Sequence, residues 1–475
     1  MLLYFVIQIP AVQTWIAQRL AGYMSDKLET KVEIRGVDIQ FFDTVILEGI
    51  YIEDKHKDTL LYTDKLFVGI SSLSLNDSKV HLSEIKLLNN TAELKKYPGE
   101  NGLNFQFIID AFASDKKTSE PSKPFKLTCD KFTLVNNKFS YQIVGKQPPE
   151  WGFDASNIVA NKLSGEFRNL VVHGDTIETD IVALNAIEQS GLQLKSLTSK
   201  FTFSSHEMTF DKLKLESNTS HINGKVKFGY NNMGAFANIF DSVKVNFDLV
   251  DSDLFFGDLA YFAPTLRGAK IKAGIEGQFS GRLSKLKGKD VKIKYGTATR
   301  FYGDVMIKGL PNSSETFIDA TIKGLQTNAK DIATIQLPPF NQNKYVEIPP
   351  EVYALGKVTF VGYYTGFLPI LWPMVSLPPL WALPLQIYSY QPYQTKKTLA
   401  YEGSVATENF RLGDMLPGLG FGVVTLNANV NGKGFDLEGI DTKLDGHIAA
   451  FDYNGYRYQN IDFDGKLIKT EFTGG

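Results

Sequence analysis

Cysteine is nearly absent from the 475-residue chain. Cys129 stands alone, which excludes an intramolecular disulfide framework and any all-cysteine metal site. An excess of charge of one sign is also missing. Fifty Lys and Arg against 52 Asp and Glu leave a net charge of −2, so no nucleic-acid partner is expected, because phosphate binding calls for a clear cationic surplus. Histidine is scarce: His56, His81, His173, His206, His221 and His447 stand at no metal-ligand spacing from one another and are expected to be solvated strand or turn residues. The chain contains no H-E-x-x-H, G-x-S-x-G or G-x-x-x-x-G-K-[ST]. Gly418-Leu419-Gly420-Phe421-Gly422 has the wrong spacing for a dinucleotide loop and leads into a strand. Neither a cofactor, a metal nor an enzymatic activity is expected. Cys129 alternates with Phe125 and Leu127 and is expected to pack as a small apolar residue.

Long apolar runs are missing at the start as well. Met1 to Ile9 stops at Pro10, well short of the roughly 20 residues that cross a bilayer, and no basic segment precedes it as a secretory signal would require. Two readings remain: a buried first strand, or the tail of a membrane helix that begins upstream. Pro10 suits a first helical position, and Val12, Trp15, Ile16, Leu20, Tyr23 and Leu28 then recur at three- and four-residue steps. That stripe predicts an amphipathic helix over residues 10–29. It either caps a β core, or lies at a membrane surface or plugs the end of a groove.

What the chain does have is aromatic residues, 34 Phe and 21 Tyr, and an apolar period that changes from 3.6 to 2 after Thr30. Val243-x-Val245-x-Phe247-x-Leu249, Ile271-x-Ala273-x-Ile275 and Val424-x-Leu426-x-Ala428-x-Val430 are the clearest stretches. Each predicts a strand with one apolar and one wet face. Asn-, Gly- and Asp-rich segments between such runs are expected to be turns. Ile85 to Leu94 is echoed by Phe132 to Tyr141, and Leu444-Asp445-Gly446-His447-Ile448 by Phe463-Asp464-Gly465-Lys466-Leu467, as in an array of stacked units. A short helix is expected at Asp251 to Phe262, closed before Pro264.

Half-apolar strands with almost no helices must still cover their apolar faces. Separate sandwiches would need several linkers, and only residues 114–124 have a linker's composition. The expected fold is therefore mostly β: an elongated, curled antiparallel or mixed sheet forming a trough (a repeat-like β-taco), with an N-terminal amphipathic helix. Separate sandwich domains are the alternative. Expected boundaries are residues 1–9 as the remnant of a membrane anchor, 10–29 as the helix, 30–113 as a first β region, and 125–475 as the groove.

Residues Thr30 to Ile39, Val45 to Asp54 and Asp58 to Tyr62, following the helix, resemble the start of AsmA-like proteins, most closely the TamB type of the Bacteroidetes. Leu444-Asp445-Gly446 and Tyr453-Asn454-Gly455-Tyr456 are similar to that family's β-repeat region. The resemblance implies a protein anchored in the bacterial inner membrane by one N-terminal helix. Its periplasmic body would carry phospholipid acyl chains along a hydrophobic groove toward the outer membrane. It also implies a scaffold or chaperone role in outer-membrane protein assembly, with an Omp85-type barrel as partner. Both ends depart from the family: the anchor is curtailed at Met1, and Gly474-Gly475 stops in mid-repeat. The expected groove lining is Val243, Val245, Phe247, Leu249, Ile271, Ala273, Ile275, Val424, Leu426, Ala428 and Val430.

One window breaks the pattern. Residues 358–395 are uncharged and hold Pro369, Pro373, Pro378, Pro379, Pro384 and Pro392 with Trp372 and Trp381. The length suits a membrane-inserting segment, but the prolines oppose both a spanning helix and a central strand. A further reading is a pair of compensating frameshifts between about Leu368 and Thr395. Reading one base earlier can restore charge and alternation similar to the family pattern.

Overall fold

The computed structural model describes residues 9–40, 44–74, 78–112, 126–312, 315–348, 350, 353, 357–367, 385–389, 399–415, 418, 420–433, 441–468 and 471–475. The chain is mostly β and divides into two compact units, residues 1–238 and 239–475. Sequence had suggested no boundary there. The expected linker at 114–124 lies outside the described residues.

The first unit opens with the helix Pro10–Leu28 (α1). Ala17, Ala21 and Leu28 are its buried residues, and it packs on β1 (Val32–Gln40). The expected stripe is only partly a packing face: Leu28 is buried and Val12 and Ile16 are half-buried, while Trp15, Leu20 and Tyr23 are exposed. Small alanines let the helix approach the strand, which turns the bulkier side chains outward. No described helix is long and apolar enough to cross a membrane.

Strands β2 (Thr44–Glu53), β3 (Thr59–Ser74), β4 (Lys79–Leu88) and β5 (Thr91–Lys96) follow. After them come β6 (Lys126–Ile143), β7 (Asn157–His173) and β8 (Thr176–Glu188). The unit finishes with β9 (Gln193–Leu194), β10 (Ser196–Phe203), β11 (Glu207–Glu216) and β12 (His221–Gly229). Pairing is antiparallel throughout except at β6, which runs parallel to both β4 and β5. Residues on the two sides of the 114–124 segment thus share one sheet.

That parallel pairing explains the first echo in the sequence. Ile85 lies beside Phe132, Leu87 beside Leu134, Ala92 beside Phe139 and Leu94 beside Tyr141, so the two similar segments are stacked residue for residue. Of their Asn-Asn pairs, Asn136-Asn137 is not the expected turn. Asn136 (φ 53°) is a left-handed bulge residue within β6, while Asn89 (φ 49°) is a left-handed residue in the bend that joins β4 to β5, a conformation asparagine tolerates better than most. A side-chain ladder crosses the strands at this level. The Thr63 hydroxyl donates to Asn90 Oδ1 at 2.6 Å, the Asn90 N–H to Asn137 Oδ1 at 2.7 Å, and Asn136 Nδ2 to Asn89 Oδ1 at 2.9 Å. Thr63 and Asn137 are almost fully buried, and the ladder satisfies polar groups that would be costly unpaired.

The second unit carries β13 (Lys244–Phe255), β14 (Lys272–Arg282), β15 (Lys285–Tyr295) and β16 (Thr299–Lys308). Next come β17 (Phe317–Asn328), β18 (Lys357–Phe367), β19 (Leu385–Ser389) and β20 (Leu399–Arg411). The last four are β21 (Phe421–Lys433), β22 (Asp441–Tyr453), β23 (Tyr456–Ile468) and β24 (Glu471–Gly474). They form a meander in sequence order, antiparallel except that β19 runs parallel to β18. All eight residues that mark the Pro/Trp window lie outside the described residues.

Two expectations are corrected here. Asp251 to Phe255 continue β13 across a bulge at Asp251 (φ 42°), and only Phe256–Leu259 is helical. The Asp-Gly echoes, Asp445-Gly446 and Asp464-Gly465, are mid-strand rather than turns, and Asp445 pairs directly with Asp464. The true hairpin turn is Asn454-Gly455, both at positive φ, between paired Tyr453 and Tyr456.

Beyond one end of β15–β17 the chain forms a cap. The buried Asp331 carboxylate accepts from the backbone N–H groups of Thr297, Ala298 and Thr299 at 3.1, 2.7 and 2.8 Å, and from both threonine hydroxyls. Burial pushes this carboxyl up, but the donors outweigh it and pull it down to about 2. Gly296 (φ 54°) permits the approach, since a Cβ there would stand 2.5 Å from the carboxylate. Gln336, also buried, accepts from Lys270 N–H at 2.8 Å and donates to the carbonyls of Gly268 and Phe340. It ties the segment after β17 to the one between β13 and β14.

Candidate functional site

Alternation puts one side chain in two on a common face of the second unit, and the register shows how these side chains stand across the strands. One row runs Val245, Gly281, Leu286, Ile307, Ile318. The next runs Phe247, Phe279, Gly288, Val305, Ala320, Tyr364. Beyond a line of bulges at Asp251, Gly277 and Asp290, a further row runs Ser252, Ile275, Ile293, Phe301, Leu325. These rows are almost wholly apolar and cross β13 to β17 without a charged member.

Glycines are interleaved with the bulky residues for a steric reason. A Cβ on Gly288 would meet Val291 Cγ2 at 2.7 Å, Val305 Cγ2 at 2.8 Å and Phe279 Cε1 at 3.0 Å. Neighbouring side chains therefore converge over the glycine, as they do where a sheet curls toward its apolar face. Burial is graded. Val243, Val245, Phe279 and Val291 are buried, while Phe247, Leu249, Ile275, Ile293, Phe301, Val305 and Leu325 are only half-buried. The unit contains one ladder of strands, with no pairing between β13 and β24 to close it into a barrel among the described residues. A concavity of about 820 Å³ in this unit is lined mainly from the opposite, polar face, by Asp248, Glu276, Lys292, Arg300, Tyr302 and Gln326, and also touches Leu249, Ile293, Phe301 and Leu325.

Of the residues expected to line a groove, seven lie on or beside β13 and β14. Val243 and Val245 are fully buried, and Phe247, Leu249, Ile271, Ala273 and Ile275 are half-buried. Ile271 stands just before β14, where its carbonyl accepts from Phe256 N–H at 2.9 Å. The other four are on β21. There Val424 and Ala428 are buried and Leu426, opposite Ile448, is half-buried. Val430 pairs with Gly403 and Leu444, but its side chain lies outside the described residues. The two groups belong to one ladder, separated by β15 to β20.

Sequence reasoning missed Phe279, Val291, Ile293, Phe301, Val305, Ile322 and Leu325. The alternation was present, but Gly288 and Gly303 interrupted it and the bulge at Asp290 shifted its phase.

No chemistry emerges elsewhere among the described residues. No cluster of His, Cys, Asp or Glu could hold a metal. His56, His81 and His447 stand at 2.7, 2.9 and 2.7 Å from Glu100, Asp130 and Asp462, as solvated cross-strand or loop partners. Cys129 is buried, and that burial pushes its thiol up, which disfavours the nucleophilic thiolate. On the first unit the exposed flank of α1 carries Trp15 with the Arg19 guanidinium 5.7 Å over its ring, and Tyr23 nearby. No family model, curated protein or solved structure matches the chain.

Proposed function

We propose that this protein carries phospholipid along the apolar face of its sheet, from the bacterial inner membrane through the periplasm toward the outer membrane. The observation that carries the reading is the half-buried row Ile275, Ile293, Phe301 and Leu325. It is an apolar strip that runs in register across four strands and is left only half-buried. Such a strip offers acyl chains shelter worth about 0.8 kcal/mol for each methylene removed from water, with headgroups left at the open side. The exposed Trp15, Leu20 and Tyr23 on α1 suit the interfacial level of a membrane, in keeping with anchorage at the N-terminus. No residue carries the activity alone, and it involves no covalent chemistry.

The test is lipid transfer between donor and acceptor vesicles, with mass spectrometry of lipid that copurifies with the detergent-extracted protein. Phe301→Asp and Ile293→Asp should abolish transfer and reduce copurified phospholipid, while Gln326→Asp, on the opposite face, should not. Normal transfer by both apolar-face variants would refute the proposal. Crosslinking to unfolded barrel proteins in place of lipid would point instead to a scaffold for outer-membrane assembly with an Omp85-type partner.

A further inference from the structure

The polar face of the second unit holds a charge arrangement that the apolar face does not explain. Lys244 on β13 is paired in register with Arg282 on β14, Arg282 with Lys285 on β15, and Lys285 with Lys308 on β16. Four cations thus stand side by side on four adjacent strands, spanning about 14 Å at the usual strand spacing. Lys287, two residues along β15, points to the same face. Lys244, Arg282, Lys285 and Lys287 are exposed, and none makes an ion pair with a carboxylate among the described residues. Like charges directly opposite each other in a sheet are unfavourable, so the row works against the fold that contains it.

The other half of the same face is neutralised. Past the Asp290 bulge, Lys292 and Lys294 meet Glu276 at 3.3 and 3.4 Å, and Lys323 meets Asp290 and Asp304 at 2.9 Å each. The basic row is therefore a local feature of a chain whose net charge is −2, and it sits at the end of the strands away from the Asp331 cap. Beside it Lys308 lies over the Phe317 ring at 5.7 Å, which adds an aromatic face to the cationic edge.

We propose that this row is a docking surface for the phosphates of anionic phospholipid headgroups at a membrane surface. A planar array of phosphates matches an in-line set of unpaired cations better than a single small anion does, since one ion would engage only two neighbours. The inference stands whether or not the apolar face carries lipid.

Flotation of the full chain with vesicles tests it. One set is neutral phosphatidylcholine and the other contains phosphatidylglycerol. The triple variant Arg282→Gln, Lys285→Gln, Lys287→Gln should bind the anionic vesicles at least tenfold more weakly than wild type, by an estimate from charge loss near an anionic surface. The double variant Lys292→Gln, Lys294→Gln should bind as wild type does. Binding to anionic vesicles should also fall steeply with salt. Because neutralising the row relieves repulsion, the triple variant should melt no lower than wild type, so lost binding cannot be ascribed to misfolding. Equal flotation of triple variant and wild type, or equal binding to neutral and anionic vesicles, would overturn the proposal. Release by millimolar inorganic phosphate, but not by chloride at matched ionic strength, would also overturn it by showing a site for the free anion.

Discussion

Replacing Asp331 by asparagine keeps the size of the side chain while removing its charge, and the structure sets the expected cost. The carboxylate gathers three backbone N–H groups and two hydroxyls of the Thr297–Thr299 turn. That holds it at about 2 against an ordinary 3.8. At about 1.36 kcal/mol per pH unit, the difference contributes about 2 kcal/mol at neutral pH. The sign follows from the depressed value: the contribution is full above pH 4, fades as pH falls through 3.8 toward 2, and is gone below. A chain of two units need not unfold in one step, so the appropriate readout is local amide exchange. Asp331→Asn should speed exchange at Ala298 and Thr299 by about thirtyfold at pH 6 relative to wild type, the same energy expressed as a ratio. The ratio should shrink toward one near pH 2. A ratio under threefold at pH 6, or one that stays constant down to pH 2, would refute the reasoning.

Other expectations concern packing and the apolar face. Asn137→Ala should cost the first unit about 1–3 kcal/mol in denaturant unfolding, because it leaves the buried Asn90 N–H without its acceptor. Gly288→Val should destabilise the second unit by a similar amount, since the added atoms would enter space held by Val291, Val305 and Phe279; unchanged melting would show that the face does not converge there. Leu426→Asp, half-buried on β21, should block vesicle-to-vesicle transfer while leaving the circular dichroism of a β protein. Trp15→Ala with Tyr23→Ala should lower membrane association without lowering thermal stability, because both side chains are exposed; a drop in stability would instead mark them as packing residues.

The alternation of apolar residues made the fold class legible, and it located β13, β14 and β21 by their cleanest runs. It could not distinguish a turn from a bulge. Asn136-Asn137 has turn composition, yet the left-handed conformation that favours asparagine in turns also serves inside a strand. Asp251 misled for a related reason: an acidic residue before apolar ones resembles a helix cap, but here it is the bulge that carries β13 onward. The α1 stripe pointed to the apolar side chains, whereas the packing face is set by Ala17 and Ala21, whose small size a hydrophobicity pattern undervalues. Half of the apolar rows escaped notice because Gly288 and Gly303 hold places where the pattern calls for bulk. In three dimensions those gaps are filled from the sides by Phe279, Val291 and Phe301.

The most direct test of the lipid-carrying account is photocrosslinking at single positions in living cells, taken along one strand so that the two faces alternate. A photoreactive residue at Ile293 or at Phe301 should capture phospholipid, and one at Lys292 or Arg300, their immediate neighbours, should not. Labelling that follows this period of two supports an acyl-chain path along the sheet. Labelling that ignores it, or that is absent from the apolar positions, contradicts the account.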